Sequence, residues 1–129
     1  MAEASYPDDL LYHPEHDWAR VDGEEATLGI TWYAQDQLGE VVFFELPEVG
    51  SAVTKDEPYA EVESVKAVSD VIAPLSGEIV EVNESLADAP QAINEDPYGA
   101  GWLVKVRLSD PSERDALMDA SAYAATLGG

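Results

Sequence analysis

The sequence predicts a mainly β fold of two stacked antiparallel sheets, with a short helix after the first hairpin and a helical segment at the C-terminus. Three observations point there. Short runs alternate between apolar and polar residues with a period of two, most clearly where Trp102, Val104, Val106 and Leu108 interleave with Leu103, Lys105 and Arg107; such runs are strands with one face buried. Asp22-Gly23 separates two further runs and is a strong hairpin signal, because both residue types accept the positive φ of a tight turn. Finally, Gly39-Glu40-Val41-Val42 recurs as Gly77-Glu78-Ile79-Val80. Each copy opens a strand that runs into a turn, which suits two related β-units stacked with approximate two-fold symmetry.

Residues up to about His13 mix Pro7, Asp8 and Asp9 with Leu10, Leu11 and Tyr12, and predict an irregular arm that packs down on the body. Strands are expected at 17–21 and 26–30. Thr31 can cap a helix from Trp32 to Leu38, in which Ala34 and Leu38 repeat at i and i+4 and Gly39 supplies the stop. Strand character returns at 40–46 and ends at Pro47. Farther on, Ala60, Val62 and Ser64 alternate with Glu61, Glu63 and Val65, and Val68, Asp70 and Ile72 with Ala67, Ser69 and Val71. Lys66 lies between these runs, at the tip of a predicted hairpin. After Ala89-Pro90 a turn-rich stretch leads to Gly101 and the last strand, whose buried face Trp102 is expected to head. Ser109-Asp110-Pro111-Ser112-Glu113 then starts a helical segment, with a cap, a proline in the first turn and an acid nearby. That segment spans 110–127 with a break near Asp119, and Gly128 and Gly129 close the chain.

At 129 residues, 46% of them apolar, the chain reads as one domain, 1–129, with no room for a separate catalytic domain. Its 27 acidic and 6 basic residues give a formal charge of −21, which argues against nucleic acid or an anionic membrane as partner and favours basic surfaces. With no cysteine, any thiol chemistry must come from a cofactor. No apolar run reaches membrane-span length, and Met1 to Asp9 is acidic without a targeting pattern, so a cytoplasmic location is expected.

An enzyme's inventory is thin. His13 and His16 are the only histidines, far in sequence from Ser64 and Ser69, and Pro14 between them opposes a helical metal pair, so no catalytic residue and no metal ligand is assigned. Lys66 is one of three lysines and sits among the small residues Ser64, Ala67 and Ser69 and the acids Glu61, Glu63 and Asp70. Carboxylates stabilise an ammonium, which suits an acceptor of modification rather than a lysine that attacks as a free amine.

The string Val62-Glu63-Ser64-Val65-Lys66-Ala67-Val68-Ser69-Asp70 resembles the lipoyl-lysine hairpin of the glycine cleavage system H proteins. The likeness continues in register through His16-Asp17-Trp18, the block from Gly29 to Gln35, Leu38 to Val42, Glu45 to Gly50, Pro74 to Glu78, Glu81 to Glu84, Asn94 to Gly99 and Gly101-Trp102. It implies a barrel-like sandwich of the lipoyl/biotinyl-carrier hybrid-motif type, with a lipoyl-binding core over residues 25–108. Biotinyl carriers share the hairpin but typically have methionine on both sides of the lysine; here Val65 and Ala67 stand there, which favours lipoate.

The resemblance further implies a non-catalytic carrier for glycine catabolism. Lipoate on Lys66 would take the aminomethyl group of glycine from glycine decarboxylase (P protein) to aminomethyltransferase (T protein), and dihydrolipoamide dehydrogenase (L protein) would reoxidise it. A lipoate ligase or a lipoyl/octanoyl transferase would attach it, reading Glu63, Ser64, Val65, Ala67 and Asp70. A cleft sheltering the loaded arm would draw on His16, Asp17 and Trp18, on Thr31 and the helix after it, and on Asp70 near the base of the arm. Relatives commonly have glutamate at the place of Asp17 and an acid at that of Trp32, the latter well placed for the helix dipole. An H-like protein that relays lipoyl groups to other enzymes would carry the same attachment hairpin, whereas an unmodified acidic interaction module would leave Lys66 bare and give no reason for the long collinear likeness.

Overall fold

The computed structural model describes residues 6–127, so the first five residues of the acidic N-terminal stretch and the closing Gly128 and Gly129 lie outside the described residues. Nine strands are described: β1 Leu11–His13, β2 Asp17–Asp22, β3 Glu25–Ile30, β4 Val41–Glu45, β5 Ala52–Val53, β6 Pro58–Ser64, β7 Val68–Ile72, β8 Gly77–Val82 and β9 Val104–Leu108. They form a six-stranded sheet, β1-β2-β3-β9-β8-β5, and a three-stranded sheet, β4-β6-β7, antiparallel throughout. The two copies of the Gly-Glu repeat open β4 in the smaller sheet and β8 in the larger. Between the sheets lies one apolar core that includes Leu28, Val41, Phe44, Val62, Val71, Leu75, Ile79 and Val106, all essentially without solvent contact.

Asp22 pairs with Glu25 across Gly23, whose φ is 64°, so the predicted hairpin forms where the turn residues placed it. Helix α1, Trp32–Leu38, follows β3 at once. The Thr31 hydroxyl accepts the Ala34 N–H and Gly39 gives its own N–H to the Gln35 carbonyl, so both ends are satisfied locally. Two shorter segments complete the core region: a 3-10 turn, Glu84–Ala87, and helix α2, Ala92–Glu95. Near the C-terminus a 3-10 segment, Pro111–Ala116, is capped by Asp110 and helix α3, Ala120–Thr126, by Asp119, which is the predicted break.

Two expectations are corrected. The N-terminal arm contains a strand, β1, held between β2 and a single bridge in which Tyr12 exchanges both backbone hydrogen bonds with Met118 at 2.8 Å. Three residues are too few to show a period. Trp102 does not head the buried face of β9; it precedes the strand, is only half-buried, and lies under the Lys105 ammonium at 5.4 Å. Alternation reports which face a residue shares but not where the sheet above it ends. The buried tryptophan is Trp18 on β2, which packs with Leu10, Tyr12, Tyr98 and Tyr123 in a second cluster. Its indole covers Gly29, where any Cβ would stand 2.5 Å from the ring, so only glycine lets β3 pass beneath it.

Candidate functional site

β6 and β7 pair from Glu63 with Val68 back to Pro58 with Ile72, and the turn between them carries Lys66. Ser64 closes that turn: its N–H donates to the Ala67 carbonyl at 2.8 Å, and its hydroxyl oxygen accepts the N–H groups of Ala67 and Lys66 at 3.1 and 3.3 Å. The Val65 N–H donates to the Glu40 carbonyl at 3.0 Å, anchoring the tip to the start of β4. Ser64 is therefore buried and structural, while Val65, Lys66, Ala67 and Asp70 are exposed and Glu63 half-exposed. The lysine stem lies over Gly39, whose φ of 83° and missing side chain leave that space open; a Cβ there would approach Lys66 Cε to 3.3 Å. No carboxylate among the described residues pairs with the Lys66 ammonium.

Cross-strand register arranges the outer face of the smaller sheet in rows. Phe43, Glu63 and Val68 form one, next to the tip, and Glu45, Glu61 and Asp70 the next. The acids that the sequence places around Lys66 thus form a band beside the hairpin, not a ring around the ammonium.

A cleft of about 340 Å³ opens between β7 and α1, immediately beside the turn. Tyr33, Ala34, Gln37 and Leu38 of α1 form one wall, Ala67 to Val71 the other, and Ile30 and Val62 the floor. Glu15, His16 and Asp17 close one end. His16 holds a left-handed φ of 73°, fixed by backbone hydrogen bonds from its N–H to the His13 carbonyl at 2.9 Å and from the Thr31 N–H to its own carbonyl at 3.0 Å.

Asp17 is the most unusual group in the cleft. It is 2% exposed, and one carboxyl oxygen, Oδ2, is buried without a hydrogen-bond partner. Burial first, and the neighbouring Glu15 charge second, push its carboxyl well above the usual carboxylate range, against a smaller opposing effect of the Ile72 N–H. The Tyr59 hydroxyl is likewise buried and partnerless, and it feels the Asp17 charge. These two atoms are exceptions to the rule that buried polar groups are hydrogen-bonded.

Of the residues expected at the cleft, His16 and Asp17 line it and Trp18 and Thr31 do not. Trp18 points to the other face of β2, where its indole N–H donates to the Pro97 carbonyl at 3.0 Å; Thr31 is buried as the cap of α1. The strand period that puts Asp17 in the cleft excludes its neighbour. Tyr33 and Gln37, one helical turn apart on the helix expected at the cleft, line it as well; neither was singled out in the sequence, where only their i, i+4 spacing relates them. The His13 Nε2 binds Asp56 Oδ1 at 2.6 Å while its Nδ1 accepts the Glu15 N–H at 3.0 Å, a structural clamp outside the cleft.

The family model described as "Glycine cleavage H-protein" matches residues 10–128. The chain is 56% identical over 120 residues to the glycine cleavage system H protein of Symbiobacterium thermophilum, covering 93% of this chain and 94% of the relative. It is 54% identical over 124 residues to that of Rubrobacter xylanophilus, covering 96% of each. A crystal structure of a glycine cleavage system H protein from Mycobacterium marinum superposes with a TM-score of 0.85 at 43% identity, covering 95% of this chain and 99% of the other.

Proposed function

The chain belongs to the glycine cleavage H-protein family, the non-catalytic lipoyl carriers of the glycine cleavage system, and from that premise we propose that Lys66 is its attachment point and the adjacent cleft the seat of the loaded arm. A contrast among the three lysines carries the assignment. Lys55 pairs with Asp56 at 3.1 Å, and Lys105 lies over Trp102 and 3.7 Å from Glu81. Lys66 alone among them has an exposed side chain without an ion pair, and it stands on a turn fixed by Ser64 and by the bond from Val65 to Glu40. A modifying enzyme can therefore approach Nζ without first breaking a contact.

When bound, lipoate supplies a reversible dithiol–disulfide pair that can accept, hold and give up a one-carbon amine. The residues present fit such a group. Ile30, Leu38, Val62 and Val71 offer an apolar surface to a hydrocarbon stem, and Glu15, Asp17 and Asp70 bring three carboxyl groups to the same cleft. A cationic amine reaching Asp17 Oδ2 would give that oxygen the partner it lacks and favour its ionised form. The α1 wall bounds the seat on one side, while the turn at Ser64 holds the base of the arm.

Attachment falls to a lipoate ligase or a lipoyl/octanoyl transferase, which meets Glu63, Val65, Ala67 and Asp70 on the surface and a turn shaped by Ser64. Partners within the system are glycine decarboxylase, aminomethyltransferase and dihydrolipoamide dehydrogenase. The acidic row Glu45, Glu61 and Asp70 suits basic docking surfaces on them. Incubation with a lipoate ligase followed by peptide mapping should place a single adduct on Lys66 and none on Lys66→Arg. An adduct on Lys55 or Lys105 would overturn the assignment.

A further inference from the structure

Helix α3 lies outside the two sheets, yet its one fully buried aromatic residue reaches the end of the cleft. Tyr123 is 0% exposed and stacks on Tyr12 with ring centroids 4.8 Å apart and planes at 8°. Its hydroxyl stands 2.8 Å from His16 Nδ1 and 2.8 Å from Thr31 Oγ1. One phenol thus joins the His16 ring, which lines the cleft, to the residue that caps the α1 wall.

The protons in this chain can run two ways, and the surroundings choose between them. Thr31 Oγ1 already accepts the Ala34 N–H at 3.2 Å, and no acceptor other than Tyr123 is present for its own O–H among the described residues. With Thr31 donating to Tyr123 and Tyr123 donating to His16 Nδ1, every buried donor is used. Reversing the chain would leave the Thr31 O–H buried and unpaired.

We infer that Tyr123 is a positioning residue for the cleft: by donating to Nδ1, it fixes the neutral His16 ring as the Nε2–H tautomer and in one orientation. This rests on the reading that the cleft receives the loaded arm. A cationic amine is then met by an uncharged imidazole, with Tyr33 4.6 Å from the ring on the α1 side. Other titratable groups around His16 are Glu15, Asp17 and His13 in its own segment and Asp70 across the cleft. Burial holds His16 below its usual range and His13 adds to this, while the Glu15 charge opposes it, so the ring stays neutral under ordinary conditions.

The bare, isotopically labelled protein tests the assignment without any arm attached. Long-range proton–nitrogen spectra should show His16 above its titration with a bare Nδ1 and a protonated Nε2. Tyr123→Phe, which keeps the ring stack, should mix the tautomers and move the His16 midpoint upward; Thr31→Ser, which keeps the hydroxyl, should change neither. Once lipoylated and loaded, Tyr123→Phe should lose its amine faster than wild type, by a margin that widens as the pH falls through the His16 titration. A wild-type His16 protonated at Nδ1, or a Tyr123→Phe protein with wild-type tautomer and midpoint, overturns the inference. Where Tyr123→Phe fails to fold, the wild-type tautomer still decides it. Arm-dependent shifts at His16 and Asp17 test the cleft reading separately, and their absence overturns that reading even where the tautomer stands.

Discussion

Asp17 shows how a single buried residue can cost the bare protein stability. Its folded pKa lies above the unfolded one, near 3.9 for an ordinary aspartate, so folding favours the protonated form. Its stabilising effect is therefore complete below the unfolded pKa and is lost as the pH rises through the folded one. Asp17→Asn, neutral throughout, should be more stable than wild type near about pH 7, because it is spared the cost of a buried, unpaired charge. The difference should close as the pH falls below about 4, as read from melting temperatures across that range. A gap that does not change with pH would show that Asp17 is not titrating. The place of Lys66 at a hairpin tip was legible at this scale because it stands between two alternating runs. The orphaned Asp17 oxygen was not, since burial depends on which strands cover β2.

At the scale of elements, local chemistry was readable wherever a cap, a turn or a period sufficed. Helix α1 ends where Thr31 and Gly39 placed it, and the hairpin turns at Lys66. What failed was depth. Trp18 lies within β2, which is covered by Tyr12, Tyr98 and helix α3, whereas Trp102 stands before β9 begins. Trp18→Ala should therefore cost about 3 to 5 kcal/mol in urea unfolding, as for other buried aromatic truncations. Trp102→Ala should cost about 1 kcal/mol or less, the scale of one partly exposed cation–π contact. Equal losses would mean that the two rings are equally enclosed. The Tyr123 link escaped the sequence for a related reason: it joins residues separated by 107 and 92 positions, beyond the reach of any local pattern.

Across the whole molecule the dominant property is a charge of −21, with an acidic row beside the arm. Association with basic partner surfaces should be steered over distances comparable to the Debye length. In stopped-flow reduction by dihydrolipoamide dehydrogenase, the rate for the lipoylated protein should fall about 10-fold from low to physiological salt, with free lipoamide changing far less. Equal proportional losses would show that the acid serves solubility alone. Composition made this charge legible at once, but its arrangement into rows required the β4-β6-β7 register. The anchor from Val65 to Glu40 then sets how the carrier explores space. A tether on a swaying post would spread its free end through a large volume, but this post is bonded to the start of the neighbouring strand, which restrains its base. With the arm on Lys66 and its seat in the adjacent cleft, as proposed, the local concentration of the cargo at the cleft mouth would be set by the length of the tether rather than by loop motion, and return to shelter would be a first-order event that dilution does not slow.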